Sequence, residues 1–397
     1  MNNSKNYKHT MAASFIGYIT QAIVNNFAPL LFVTFQKSFD ISLSRISALV
    51  TVNFCLQLIV DFIAAKFVDK IGYRVSIVAA HIFAGSGLAL MGILPFKLSN
   101  PYFGLIIAIA CYAIGGGIIE VLISPIVEAC PNDKKSAAMS LLHSFYCWGH
   151  VAVILFSTLF FVTVGIEKWQ LLALIWSIIP FANAIYFCFV PINTLIEAED
   201  AVPIKKLFKS KLFWIFILLM LCAGASEQGM SQWSSAFAEI GLNVSKTIGD
   251  LLGPCMFAVM MGISRVFYAA MSTKLNLTKF ISVSCVFCII SYLIASFSPI
   301  PVLSLIGCGL CGLSVGILWP GVFSLAAEKA SAGGTAMFAF LALAGDLGCS
   351  SGPTLVGTVS GIFNDNLKIG FLAALIFPIA LIFGIFLLRK YKNTLKI

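Results

Sequence analysis

Five ionisable residues stand inside long apolar runs of this sequence: Asp61, Glu120, Glu227, Arg265 and Asp346. Holding a charge away from water costs from about 2 to more than about 10 kcal/mol, so each such side chain is expected to face a cavity or a partner. Asp61 and Glu120 each lie about eight residues from one end of their runs, roughly 12 Å deep at about 1.5 Å per residue. At that depth they could meet at one level. Two carboxylates sharing a dry site do not both ionise easily, so one of them would hold a proton and be able to pass it on. The alternative is that each is neutral and bonded to helix backbone or hydroxyls. Arg265 cannot discharge and requires an anion. Asp346 is the expected partner, in a structural ion pair, in a switching pair or beside a bound solute.

Uncharged polar residues fall in register around these groups. In GASEQGMSQWSSAF, Glu227, Gln228, Ser231 and Gln232 follow the three-and-four spacing of one helix side. Tyr18, Gln21, Asn25 and Asn26 repeat the pattern near the N-terminus. Such faces suit a water-filled cavity that receives a small polar solute, or polar helix–helix packing. His143 and His150 are seven residues apart and so nearly on one helix face. They suit a proton relay, or two buried neutral imidazoles. Trp148 and Trp233 could stack on a sugar ring, and Trp233 could equally anchor an interface.

The elements that must position these residues are membrane helices. Of 397 residues, 60% are hydrophobic and 10% charged, against roughly 25% charged in soluble domains. The runs last about 20 residues without the alternation of a barrel strand, so the expected spans are helices. We expect an all-α membrane protein with twelve transmembrane helices in two pseudo-symmetric six-helix bundles. The spans fall near 10–35, 42–66, 75–95, 102–128, 137–164, 169–192, 211–236, 247–272, 279–298, 301–326, 334–362 and 368–388. Residues 1–192 form the first bundle, 193–210 a cytoplasmic linker, and 211–397 the second bundle with a short tail.

Charge placement predicts the orientation. With the N-terminus inside, eighteen Lys and Arg residues fall in cytoplasmic segments and six in outer ones. Both termini and the linker are therefore expected in the cytoplasm, at the plasma membrane. The net charge of +9 is spread between spans rather than clustered, which argues against nucleic acid. The twelve Cys show no secreted disulfide spacing. Cys308 and Cys311 form a CxxC in a Gly-rich helix, read as small packing residues or a redox or metal pair. The polar N-terminus runs into a span too long for a cleavable signal.

A weak repeat relates the halves. A shift of 204 residues sets DFIAAKFVDKI, from Asp61, over RVFYAAMSTKL, from Arg265, and Ser124-Pro125 pairs with Trp319-Pro320 at a similar offset. Related halves with a site between them are a common transporter design.

The segment from Ala65 to Arg74, AKFVDKIGYR, resembles the signature between the second and third helices of the major facilitator superfamily. Asp69, Lys70, Gly72 and Arg74 match in type, whereas Ala65 and Tyr73 depart from it. The resemblance implies a gating latch at the cytoplasmic edge, with Asp69 capping or pairing with a helix of the opposite half and Gly72 allowing a tight turn. The reading without a latch is a solvated turn. Gly115-Gly116-Gly117 with Glu120, Glu227 with Trp233, and Gly262 with Arg265 resemble the sugar-permease branch that includes fucose permeases. That implies proton-coupled import of a sugar-like solute, with a proton or other ion as coupling partner. An exporter of amphipathic compounds is the alternative, although helix four has no Arg and the Gly-Pro stretch lies in helix eleven, at Gly348–Gly357. No GxxxxGK[ST] phosphate loop occurs. An enzyme or receptor is the disfavoured class, and no cofactor, no metal and a monomer in the lipid bilayer are expected.

Overall fold

The computed structural model describes residues 7–131, 135–193, 204–271, 276–329 and 334–390, which are helical with no strand among them. Twelve long helical segments follow one another, as the apolar runs dictate. They are α1 (Tyr7–Phe39), α2 (Leu43–Ile71), α3 (Tyr73–Lys97), α4 (Pro101–Glu128), α5 (Lys135–Thr163) and α6 (Trp169–Phe189). The second set is α7 (Lys211–Gly241), α8 (Lys246–Tyr268), α9 (Leu277–Phe297) and α10 (Pro301–Ala326), then α11 (Gly334–Ile362) and α12 (Leu367–Lys390). Eleven are long and apolar enough to cross a membrane among the described residues. The twelfth, α11, has 29 residues and carries Asp346 and the Gly-Pro stretch that lower its apolarity.

Several expected continuous helices are broken. The α-helical start of α1 ends at Asn26, and a 3-10 turn, Ala28–Leu31, intervenes before Phe32. Pro29 has no N–H to give the ladder, which explains the break. In α7 the regular helix ends at Ser231 and the chain passes through a wide π turn at Phe237–Gly241. In α8 a second π turn, Leu251–Cys255, contains Pro254. In α10 the helix stops at Val315 and resumes at Leu318, which releases the carbonyl of Gly316 from regular pairing. Breaks of this kind are tolerated at membrane depth where protein surrounds them.

The chain divides into two compact units, residues 1–41 with 52–197 and residues 42–51 with 198–397. In the first, α3 lies along α4 and α6, and α1 lies against α5 and α4. In the second, α7 lies along α11, and α10 along α9 and α8. Of the expected linker at 193–210, residues 194–203 lie outside the described residues, and Ile204–Lys209 forms a short helix.

Candidate functional site

The first unit brings three helices together around a chain of amides. Gln21 on α1 faces Gln57 on α2 and Glu120 on α4. Its Nε2 donates to Gln57 Oε1 at 2.9 Å and to Glu120 Oε2 at 3.1 Å. Gln57 Nε2 in turn donates to Asn25 Oδ1 and Asn53 Oδ1, both at 2.8 Å. Asn53 Nδ2 also donates to Asn25 Oδ1, at 3.2 Å. The four amides are buried, whereas Glu120 is partly exposed. The arrangement therefore ties a carboxyl with access to the surface to a network fixed inside the unit.

Two glycines let α4 come this close. A Cβ on Gly116 would meet Gln21 Oε1 at 3.1 Å, and one on Gly117 would meet Asp61 Oδ1 at 2.9 Å and the Gln57 carbonyl oxygen at 3.0 Å. Asp61 thus approaches α4 one helical turn before Glu120, on buried ground. Asn26 Nδ2 bonds the Ala22 carbonyl at 2.9 Å and the Tyr146 hydroxyl at 3.4 Å. Tyr18 shares a hydrogen bond with Ser124 at 3.1 Å and meets the ring of His143 edge-on, 5.4 Å between centroids. His143 is exposed and His150 buried, so these two imidazoles have different surroundings despite their spacing. Trp148 is exposed.

The sequence reading did not single out Asn53 and Gln57. Their signal was present, because residues 53, 57 and 61 recur every four positions and form one polar stripe on α2. His81, also missed, is fully buried in α3. Its Nδ1 bonds the Ile77 carbonyl at 2.8 Å, and its Nε2 meets Asn183 Nδ2 at 2.8 Å.

In the second unit, Arg265 on α8 places Nη2 3.7 Å from Glu227 Oε2 on α7. Its Nε donates to the Gly316 carbonyl at 3.2 Å, using the oxygen that the break in α10 frees. Gln228 Nε2 donates to Glu227 Oε1 at 3.3 Å, and Gln232 Nε2 to Gln228 Oε1 at 3.0 Å. Glu227 is thus a partner of Arg265 that the sequence reading did not name. Asp346, the partner expected there, is buried on α11 of the same unit. Trp233, expected as a stacking platform or an interfacial anchor, lies inside the second unit. It is fully buried, and its Nε1 donates to the Pro353 carbonyl at 2.9 Å, which ties α7 to α11. Cys308 and Cys311 are fully buried too, and no group of three or more His, Cys, Asp or Glu side chains among the described residues is placed to hold a metal.

At the edge of the first unit, Gly72 has φ +93° between α2 and α3, a conformation that a side chain would strain. Arg74 donates to the carbonyls of Phe187 at 2.7 Å and of Cys188 and Val190 at 2.8 Å, which closes the C-terminus of α6. Lys70 is exposed. The Asp69 side chain lies outside the described residues.

A family model described as the Major Facilitator Superfamily matches residues 10–353. Among solved structures, a bacterial homologue of the human lysosomal transporter Spinster is similar, with 13% identity, 98% of each chain covered and a TM-score of 0.78. The nucleoside transporter NupG shares 13% identity, over 97% of this chain and 100% of that one, with a TM-score of 0.75. The E. coli fucose:proton symporter FucP shares 17% identity, over 96% and 99%, with a TM-score of 0.67. At these identities the likeness is one of fold. A comparison with curated protein sequences gives no match.

Proposed function

The chain belongs to the Major Facilitator Superfamily, and on that basis we propose that it is a secondary active transporter that imports a neutral, polyhydroxy solute together with a proton by alternating access. One observation carries the reading: a partly exposed carboxyl, Glu120, is held by Gln21 at the end of a buried amide network inside an apolar helix bundle. Amides present both donors and acceptors, the complement of a hydroxyl-rich solute. A carboxyl in a water-poor site binds and releases a proton with a large change in its interactions, which suits a coupling group. Two structures of similar fold are named for fucose with a proton and for nucleosides, solutes that carry several hydroxyls. That supports the solute class as an inference by analogy.

Proteoliposomes test it. Labelled sugars and nucleosides are offered with an imposed pH gradient, and exchange is measured beside accumulation. Glu120→Gln, which imitates the protonated carboxyl, keeps exchange and loses accumulation against a gradient. A variant that still concentrates solute moves coupling to Asp61 or Glu227, or removes the proton from the mechanism. The same reading puts both termini and residues 193–210 in the cytoplasm, from the eighteen-to-six bias of Lys and Arg. Labelling of a single cysteine at position 200 by an outside-only reagent overturns that orientation.

A further inference from the structure

Gln21 carries a buried oxygen that its position leaves unused. The residue is 3% exposed, and both of its Nε2 hydrogens are committed, one to Gln57 Oε1 and one to Glu120 Oε2. Its Oε1 has no hydrogen-bond partner among the described residues. A buried acceptor without a partner is uncommon and asks for an explanation. The oxygen lies 3.1 Å from where a Cβ on Gly116 would be. Residue 116 is one turn before Glu120 on the same face of α4, so the oxygen lies against the face of α4 that carries the carboxyl Gln21 already touches.

We propose that Gln21 Oε1 is the acceptor reserved for the proton on Glu120, and that Gln57, Asn25 and Asn53 are positioning residues that hold it there. The inference rests on the proton-coupling reading given above. When Glu120 is ionised, it only accepts, and the bond from Gln21 Nε2 satisfies it. When a proton arrives from the bathing water, an O–H bond forms at the second carboxyl oxygen and that hydroxyl becomes a donor. It then closes a two-bond pair with the Gln21 amide: O–H to Oε1, and Nε2–H to Oε2 as before. The amide therefore fits both protonation states without turning.

Turning it would be opposed. A reversed Gln21 would set its oxygen against Gln57 Oε1. Gln57 is itself fixed, because both of its Nε2 hydrogens go to Asn25 and Asn53. The brace across α1 and α2 thus determines which end of Gln21 meets α4. Several titratable groups stand on the packed elements. Asp61 on α2 approaches at Gly117, and His143 on α5 meets Tyr18 of α1. His150 on α5 and His81 on α3 are buried, His81 against Ile77 and Asn183. Glu120 itself accepts from Gln21.

Infrared difference spectroscopy between acid and neutral pH tests this on the purified full-length protein. A protonated carboxyl gives a C=O band whose position falls as its hydrogen bonds strengthen. We expect such a band in the wild type, its loss in Glu120→Gln, and a shift to higher wavenumber in Gln21→Met, which keeps the shape but removes the amide, acceptor and Nε2 donor together. Gln57→Met retains Gln21 while releasing its brace, and should broaden or raise the same band, so the idea stays testable if Gln21→Met fails to fold. A Glu120-dependent band that neither variant moves overturns the acceptor role while leaving proton coupling intact. The absence of any Glu120-dependent band overturns both.

Discussion

Arg265 meets Glu227 at 3.7 Å, across α8 and α7, while its Nε holds the carbonyl that the break in α10 exposes at Gly316. The cation therefore joins three helices of one unit. Removing one partner of a buried pair typically costs about 3–5 kcal/mol, because the other charge is stranded. The Arg265 side chain is 22% exposed, so some of its charge is solvated and the loss should lie below that range, near about 2 kcal/mol. We expect Arg265→Met and Glu227→Gln each to lower the melting temperature. The double variant should recover part of the loss, with a coupling of about 0.5–3 kcal/mol. A parallel cycle with Asp346→Asn reads whether the guanidinium is shared with α11. Additive losses for Glu227 and Arg265 would show that their proximity carries no energy.

The glycines of α4 make a graded prediction. A methyl at Gly117 would press on the Gln57 carbonyl and on Asp61 Oδ1 at about the limit of contact, and backbone cannot swing aside. Overpacking of this kind costs about 1–3 kcal/mol, more than the roughly 1 kcal/mol that alanine gains over glycine within a helix. At Gly116 the nearest atoms belong to side chains, Gln21 Oε1 and Val24 Cγ1. Gly117→Ala should therefore lower stability and transport together. Gly116→Ala should cost little stability yet reduce transport, because it displaces Gln21. Melting temperature and uptake measured on both variants check this, and equal effects at the two positions would be the contrary result.

The sequence made much of this visible, for identifiable reasons. Apolar run length located the helices to within a few residues, since the bilayer fixes how many residues a span needs. The ionisable residues stood out against that background, and Gln21, Asn25 and Glu120 belong to one network. What spacing along one helix could not supply was pairing between helices. For Arg265 the sequence pointed to Asp346, and only the three-dimensional arrangement brings Glu227 to it. Lys246, which falls between the seventh and eighth spans and is thus one of the six outer cations, has its Nζ 2.9 Å from Asp250 Oδ1, which is fully buried, and 3.2 Å from Glu239 Oε1. The break at Gly316 has a signal that hydropathy does not carry, because Pro320, four residues on, has no N–H for that carbonyl, and Pro254 likewise stands in the π turn of α8.

Arg74 offers a test of the edge motif that is independent of any latch. Its guanidinium fork serves three carbonyls at the end of α6, a geometry that a point charge on a flexible stem cannot reproduce. We expect Arg74→Ala to destabilise by about 1–2 kcal/mol, allowing for the partial exposure of these bonds, with Arg74→Lys recovering less than half. Hydrogen exchange should rise at the end of α6 and stay unchanged in the second unit. Full rescue by lysine would mean that charge alone, without the fork, closes the helix.

Trp233 separates a structural anchor from a solute platform. The indole is fully buried, and its N–H is spent on the Pro353 carbonyl at 2.9 Å, so no face of the ring is open to a sugar. Trp233→Phe keeps an aromatic ring but removes the side-chain bond to a carbonyl that also lies within the α11 ladder, which costs about 0.5–1.5 kcal/mol. The expected outcome is a lower melting temperature and a smaller amount of folded protein, with the KM of the remaining transporter within about twofold of wild type. A stacking role predicts the opposite division, because loss of the larger ring would weaken solute binding while the phenyl group still filled the core. Uptake kinetics normalised to folded protein, measured beside thermal unfolding, distinguish the two, and a large rise in KM at unchanged stability would return Trp233 to the solute site.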